Sequence, residues 1–440
     1  MLVNMNLTIF KNKSFLYYWI STWISSLGDS IFVIALTWLL VEETQSPSVV
    51  GTYLFILGAS KIIFVLIGGV IVDRVDPKKL LIYSNLLRAG VIILALIALF
   101  VQNDAIWIFY LIGAVFGMVD SIAEPAGISF RTRIIGKEFY TQSMGLLMTA
   151  GNVSAVIGPM IGAGLVAVGS TSFAILVNAC TFLLSSVLLV LVKEVNKEEE
   201  IKQEPMWQSV KAGFHYFLTT PVILTMAVFA FFANAAVGAT FVSIPFLADE
   251  LNFGVEGFGL MNTAIGVGSV AGAVLFSIFS IKNPKPYMTL LTCFLQGIFI
   301  MLVGFTGNLW LILILIGLMG LQETAVNVIA PSVNHTIIPP RIFGRVISVM
   351  ILVMSGSVPI AQAAAGWVME WTTPQNVFIY GGILEMAAAL LTFSLPFIRN
   401  YGRDPAFLPN NKVTRPVKGE QSATGSCISR VINYRSKGEL

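Results

Sequence analysis

A few ionisable side chains sit inside stretches of this chain that are otherwise almost wholly apolar: Asp29, Lys61, Arg88, Asp120 and Glu124 in the first third, Glu323 and Glu385 in the last. An ionisable group at the centre of a hydrocarbon layer costs at least about 2.5–3.5 kcal/mol on insertion scales, so it usually faces a cavity and has a job. Asp29 lies about 22 Å along its stretch at 1.5 Å per residue. A carboxylate at that depth is the leading candidate for taking up and releasing a proton, or for holding a substrate cation. The competing reading is a structural ion pair. Lys61 is the expected partner, because it falls at similar depth on the next, antiparallel stretch. A permanent pair would keep Asp29 ionised, whereas a looser one would be a switch. Asp120 and Glu124 lie four residues apart on one helical face, where like charges repel. They could relay a proton, attract cations, or pair with Arg131 and Arg133, and pairing is favoured for Glu124. Glu323, beside Gln322 and Asn327, ranks second to Asp29, while Glu385 has no evident partner. Arg88 is expected to snorkel to the cytoplasmic surface.

Other chemistries find little support. Three scattered cysteines, Cys180, Cys293 and Cys427, lack pairing or metal-ligand spacing. Two histidines, His215 and His335, are too few for a histidine-rich metal centre and are expected at the membrane interface. No phosphate-binding loop is present, so ATP is not expected to drive the protein directly. No metal, cofactor or nucleic-acid partner is expected, and no enzyme activity.

The elements that must position these charges follow from composition. Of 440 residues, 56% are hydrophobic and 11% charged, against about 25% charged in soluble domains. Mean hydropathy is +0.84. Lipid must therefore solvate much of the chain. About twelve stretches reach the length of about 20 apolar residues that a bilayer-crossing helix needs: 14–40, 48–72, 79–101, 105–128, 140–168, 171–192, 218–248, 257–281, 287–305, 308–331, 345–369 and 375–398. None alternates apolar and polar residues as a barrel strand does, so an all-α membrane protein with twelve transmembrane helices is predicted. Lys and Arg crowd alternate loops, and the opposite loops hold Glu42, Glu43, Asp104, Asp249, Glu250, Glu256 and Glu370 without a base. That asymmetry places both termini in the cytoplasm. The charged run 193–212 splits the spans six and six. The expected organisation is a cytoplasmic N-terminus at 1–13, six-helix bundles at 14–192 and 213–400, and a disordered polar tail at 401–440. The halves echo each other: Pro125 and Pro159 flank Arg131 and Arg133, as Pro331 and Pro359 flank Arg341 and Arg345.

Three local patterns carry a resemblance. The loop Gly69-Val70-Ile71-Val72-Asp73-Arg74-Val75-Asp76-Pro77-Lys78-Lys79 has a glycine four residues before Asp-Arg, then a basic pair. The fifth stretch runs Gly151-Asn152-Val153-Ser154-Ala155-Val156-Ile157-Gly158-Pro159-Met160-Ile161-Gly162-Ala163-Gly164, with Ser154, Gly158 and Gly162 on one face, where two backbones can touch. Leu27-Gly28-Asp29, Glu124-Pro125-Ala126, Phe258-Gly259-Leu260 and Gly344-Arg345-Val346 complete the set. Over residues 10–398 the chain resembles the major facilitator superfamily, in its macrolide-efflux-type branch of drug–proton antiporters. It departs at Asp76 and Pro77, where the superfamily usually has glycine and a base. The resemblance implies the major facilitator fold, with two six-helix halves rocking about a midplane site. It also implies a conformational latch formed by Gly69, Asp73, Arg74, Lys78 and Lys79, with Arg345 on the partner side, and a helix-packing seal around Gly151, Gly158, Pro159, Gly162 and Gly164. The second-half loop, Ser280 to Lys285, has lost the acidic residue, so the latch is expected to be one-sided.

The expected function is a secondary exporter of small amphipathic molecules, macrolide-like or siderophore-like, working as a monomer in the cell membrane with the proton gradient as its energy source. A lipid flippase or solute importer of the same fold is the alternative, and a membrane-embedded enzyme ranks lower. Tyr17, Trp19, Trp23, Phe32 and Trp38 could line a drug cavity, although Tyr17 and Trp38 read better as lipid-facing belt residues. Asn152, Asn178, Asn234, Gln296 and Gln362 are candidates for polar contacts in the cavity or between helices.

Overall fold

A computed structural model describes residues 7–100, 106–136, 139–194, 206–279 and 283–401. The expected disordered tail, most of the linker, Lys137 and Lys282 lie outside the described residues, as does the side chain of Asp73. Among the described residues there is no strand, and twelve helices are long and apolar enough to cross a membrane. They are α1 (Lys13–Thr44), α2 (Pro47–Arg74), α3 (Pro77–Phe100), α4 (Ile106–Ile134), α5 (Tyr140–Gly169) and α6 (Thr171–Leu191) in the first half. The second half has α8 (Pro221–Glu250), α9 (Gly254–Ile278), α10 (Pro286–Val303), α11 (Leu309–Ile337), α12 (Phe343–Met369) and α13 (Pro374–Ser394). A short turn of helix, α14, follows at Pro396–Arg399.

Local sequence starts these helices. Pro47, Pro77, Pro221, Pro286 and Pro374 each open one, at the position where a missing N–H is harmless. Asn12, Ser170 and Asn308 cap others, and Thr373 caps the helix that Pro374 opens, each side-chain oxygen accepting from a backbone N–H three residues on. One element departs from the expected solvated linker. An extra helix, α7 (Met206–Thr219), packs on α12 and crosses the expected domain boundary at 212. It ends at Thr220 because the residue before Pro221 is held extended.

The two halves repeat one packing scheme. In the first, α1 packs on α5 and α6, α2 on α4, and α3 on α4 and α6; in the second, α8 packs on α12 and α13, α9 on α11, and α10 on α11 and α13. Contact between halves is made chiefly by α2 on α12 and α5 on α9. Lipid tails are as apolar as leucine, so close van der Waals packing and interhelical hydrogen bonds must hold the bundles together. Small residues permit the first: a Cβ on Gly117 of α4 would collide with the Leu57 carbonyl of α2. Ser21 and Ser185, 2.8 Å apart between α1 and α6, and Asn85 of α3, 2.9 Å from Ser185, supply the second.

The seal between halves lies at one end. With an even number of spans, both ends of the described chain lie on one face of the bundle, here the terminal face; the turns at 45–46, 251–253 and 370–373 lie on the far face. The large buried core joins both halves near the far face, through Ile34, Leu36, Leu40, Val242, Leu247 and Phe258. A second, smaller cluster near the terminal face draws only on the first half, from Phe15, Tyr18, Phe130, Ile134 and Leu189. Interlocked glycines close the far end. A Cβ on Gly51 would stand 2.6 Å from the Gln362 carbonyl, and one on Gly366 would collide with that of Pro47; deeper in the bundle, one on Gly266 would stand 2.7 Å from the Ala155 carbonyl. Toward the terminal face, Gly145 and Gly151 of α5 and Gly344 and Gly356 of α12 have nothing within 4 Å of a Cβ.

Candidate functional site

Below the far-face seal lies a central cavity of about 540 Å³. Asp29 and Ser30 of α1 and Asn152 of α5 face it from the first half; Asn262 of α9 and Glu323 and Asn327 of α11 face it from the second. Of the two acidic residues ranked highest from sequence, each half thus contributes one to the same space. Aliphatic side chains such as Val33, Ile265 and Val270 fill the wall between them, and among the described residues Phe241 is the one aromatic side chain lining it.

Asp29 is placed by its neighbour. Gly28 has no side chain, so Asn178 of α6 reaches the Gly28 carbonyl with its amide. That bond fixes α1 one residue before the carboxylate. The Asp29 side chain is 45% exposed, although it sits deep in the bundle; it is wetted from the cavity rather than from the surface.

Behind Asp29 is a cluster of charges. Arg88 of α3 is 6% exposed and lies 3.5 Å from Asp29, and it binds Asp120 of α4 closely. Its guanidinium also lies over Phe116 and Phe182, at 5.9 and 5.4 Å from the ring centroids. This corrects two expectations. Arg88 does not snorkel, and it stands where Lys61 was expected. Lys61 instead pairs with Glu124 at 3.7 Å. The close α2–α4 approach at Gly113 and Gly117 turns that face of α2 toward α4. Glu124 therefore does not pair with the arginines beyond it. Arg133 pairs with Asp76 at 3.8 Å and with Glu194 at 3.7 Å, and Arg131 donates to the Met144 sulfur.

The second half is different. Glu323 makes no hydrogen bond or ion pair among the described residues. Glu385 of α13 is fully buried with the Cys293 thiol as its polar neighbour, and neither carboxyl oxygen meets full hydrogen-bond geometry with any described residue.

Of the helix-packing residues, Gly158 and Gly162 seat against Ser30 and Ile31 of α1, and the Ser30 hydroxyl reaches the Ser154 carbonyl at 3.4 Å. Ser154 itself is buried. This face therefore packs within its own half. The opposite-half contact falls to Ala155, Pro159 and Ala163, against Gly259 and Gly266 of α9. A Cβ on Gly151 or Gly164 would meet nothing within 4 Å.

The far face carries a tie between halves that the sequence reading did not single out. Glu370, capping α12, accepts from the Ser46 hydroxyl at 2.6 Å and from the Ser48 backbone N–H at 3.0 Å, at the start of α2. These bonds hold the Glu370 carboxyl below the ordinary glutamate range. Trp38 is buried close by rather than lipid-facing. It donates to Glu42 at 2.6 Å and stacks on Phe258 of the other half.

A family model described as Major Facilitator Superfamily matches residues 18–254 and 226–430. The chain belongs to the Major Facilitator Superfamily. It is a multi-pass membrane transporter of that superfamily, with twelve helices in two halves. It is 24% identical over 352 residues to the uncharacterised MFS-type transporter YkuC of Bacillus subtilis, covering 77% of this chain and 81% of that one. It is 24% identical over 350 residues to the enterobactin exporter EntS of Shigella flexneri, covering 78% and 82%. Among solved structures it is similar in fold to the nucleoside transporter NupG, with a TM-score of 0.71, 12% identity, and coverage of 87% and 98%. A bacterial homologue of the iron transporter ferroportin, in an inward-facing state, gives 0.66, 13%, 87% and 99%.

The superfamily-like loop is tied within its own half. Lys78 donates to the Val190 and Val192 carbonyls at 3.0 and 2.7 Å, at the end of α6, while Arg74 and Lys79 are exposed. The helix runs through Gly69 and Asp73. Arg345 packs its backbone on Gly213 of α7. Sequence reasoning missed Ser30, Asn262, Ser269 and Thr324 in the cavity wall. A signal existed: Asn262, Gly266 and Ser269 recur at helical spacing in α9, as do Glu323 and Asn327 in α11. Asn178 and Gln296, by contrast, bond between helices.

Proposed function

We propose that this transporter is a secondary active exporter of small amphipathic molecules, driven by proton antiport through alternating access. On this reading it lies in the cell membrane with both termini in the cytoplasm and works as a monomer. One observation carries the reading: Asp29 and Glu323, from opposite halves, line a single cavity that is sealed toward the far face. The basic loops put the terminal face in the cytoplasm, so the described state loads from inside. The export activity in the name of the EntS relative agrees in direction.

Asp29 is the proposed coupling carboxylate. Protonation would cancel its attraction for Arg88 and leave that base to Asp120, and deprotonation would restore the shared pair. The proton gradient is then the energy source and no cofactor is required. The proposed latch pairs Asp73 and its loop with the Arg345 side when the terminal face closes.

Everted membrane vesicles acidified inside test this. Substrate chosen from a growth-protection screen should accumulate, and a protonophore should abolish the accumulation. Asp29→Asn should lose uphill transport at an unchanged protein level. Uphill transport at the wild-type rate in that variant would remove Asp29 from coupling, and accumulation indifferent to the protonophore would end the antiport reading.

A further inference from the structure

The two walls of the central cavity are charged differently. In the first half, Lys61 and Arg88 stand against Asp29, Asp120 and Glu124, and every one of these charges has a partner within 4 Å. Across the cavity, Glu323 has none, and no Lys, Arg or His lines the space, among the described residues. Charges in such low-dielectric walls interact several times more strongly than in water. An anion entering would meet two carboxylates and no base. A cation would meet one carboxylate already engaged by Arg88 and one that is free.

The remaining wall narrows the class. Among the described residues, the Asn152 and Asn327 side chains make no hydrogen bond, and Asn262 uses only its amide N–H, toward the Phe258 carbonyl. They offer acceptors and donors to a hydroxylated or amide-bearing molecule. The carbon surface is aliphatic, from Val33, Ile265 and Val270, with the single ring of Phe241. A flat aromatic cation would find one ring where sites that select such cations present several.

We infer that the cavity recognises an aliphatic organic cation bearing hydrogen-bonding groups, with Glu323 as the anchor for its positive group and the Asn262 and Asn327 carboxamides reading the polar groups beside it. This deepens the exporter reading by naming the substrate class of the same cavity, and rests on it for the direction of transport.

The test uses the full chain in lipid nanodiscs and three probes of matched length: the fixed cation N-methyl-N-octyldiethanolammonium, the neutral diethanolamide of octanoic acid, and the anion octanesulfonate. A ligand that binds the folded state raises the unfolding midpoint with its concentration. The cation should raise the midpoint at concentrations where the other two do not. Glu323→Gln should weaken the cation's apparent affinity about tenfold or more, as expected for a lost charge-assisted contact, and Glu323→Asp should keep part of it. Equal stabilisation by amide or sulfonate overturns the inference. So does no stabilisation by any probe, or unchanged cation affinity in Glu323→Gln. If that variant fails to fold, the ranking of the three probes on the wild type decides alone. The same probes added to proteoliposomes with trapped pyranine separate the two readings. Cation binding without proton flux sinks proton coupling and leaves the substrate class standing. Flux driven equally by all three probes sinks the substrate class and leaves coupling standing.

Discussion

Arg88 holds two carboxylates, Asp29 and Asp120, between two phenyl rings. Removing one partner of a buried pair leaves charges uncompensated and costs about 3–5 kcal/mol. Because the Asp29 and Asp120 side chains are 45% and 34% exposed, Arg88→Met should fall at the low end of that range. The measurement is the unfolding midpoint in detergent, and Arg88→Met combined with Asp120→Leu should recover part of the loss. Glu385 predicts the opposite sign. Its carboxyl is buried and neither oxygen meets full hydrogen-bond geometry with any described residue, so Glu385→Met should raise stability by about 1–3 kcal/mol. A fall instead would mean that the carboxyl has a partner in another state. At this scale the sequence was half legible. Rare charges in apolar stretches marked Asp29 and Glu323, because lipid penalises a charge whatever its neighbours. Their partners were not legible. Lys61 matches Asp29 in depth, but pairing also needs the right rotation about the helix axis, and the glycines of α4 turn Lys61 toward Glu124.

Between helices, Glu370 is the most exposed of the ties. It bonds to Ser46 and Ser48 as a carboxylate, and those bonds keep it below the glutamate value of 4.5. The tie therefore contributes fully above pH 4.5 and is lost as the pH falls through the lowered value. Glu370→Gln should mimic that loss at neutral pH. A thiol reagent applied to a Ser48→Cys background should then react faster, and an unchanged rate would show that the tie does not hold the far end shut. Deeper in the same seam, a Cβ on Gly366 would stand 3.0 Å from the Gly51 Cα. Gly366→Val should pry α12 from α2 and raise far-face labelling more than Glu370→Gln does, since a backbone cannot yield as a side chain can. The spans were legible because length and hydropathy alone define them. Helix α7 was not, because a short amphipathic helix before Thr220-Pro221 reads as part of a charged linker. Nor was the Glu370 tie, whose partners lie more than 300 residues away in sequence.

Among the described residues the protein is two copies of one helix scheme, joined by a shared buried core near the far end, while the smaller core near the terminal end draws on the first half alone. If transport requires the far seam to part, joining Ser46→Cys to Glu370→Cys with a short thiol-cleavable crosslinker should stop it, and reductant should restore it. Transport that continues while crosslinked would mean that the halves do not swing. The repeat was legible in part, from proline and arginine positions recurring in each half; which end is closed was not, because closure depends on contacts between halves that no local pattern encodes. The bare glycines have a consequence for this motion. Gly145, Gly151, Gly344 and Gly356 leave open space on α5 and α12, and Gly164 does so nearer the far face, where Gly51 and Gly266 on α2 and α9 are in close contact. A carrier with such glycines at both mouths gives up contact at one as it gains contact at the other. The packing given up and the packing gained then offset each other, which keeps the free-energy gap between the two shapes small.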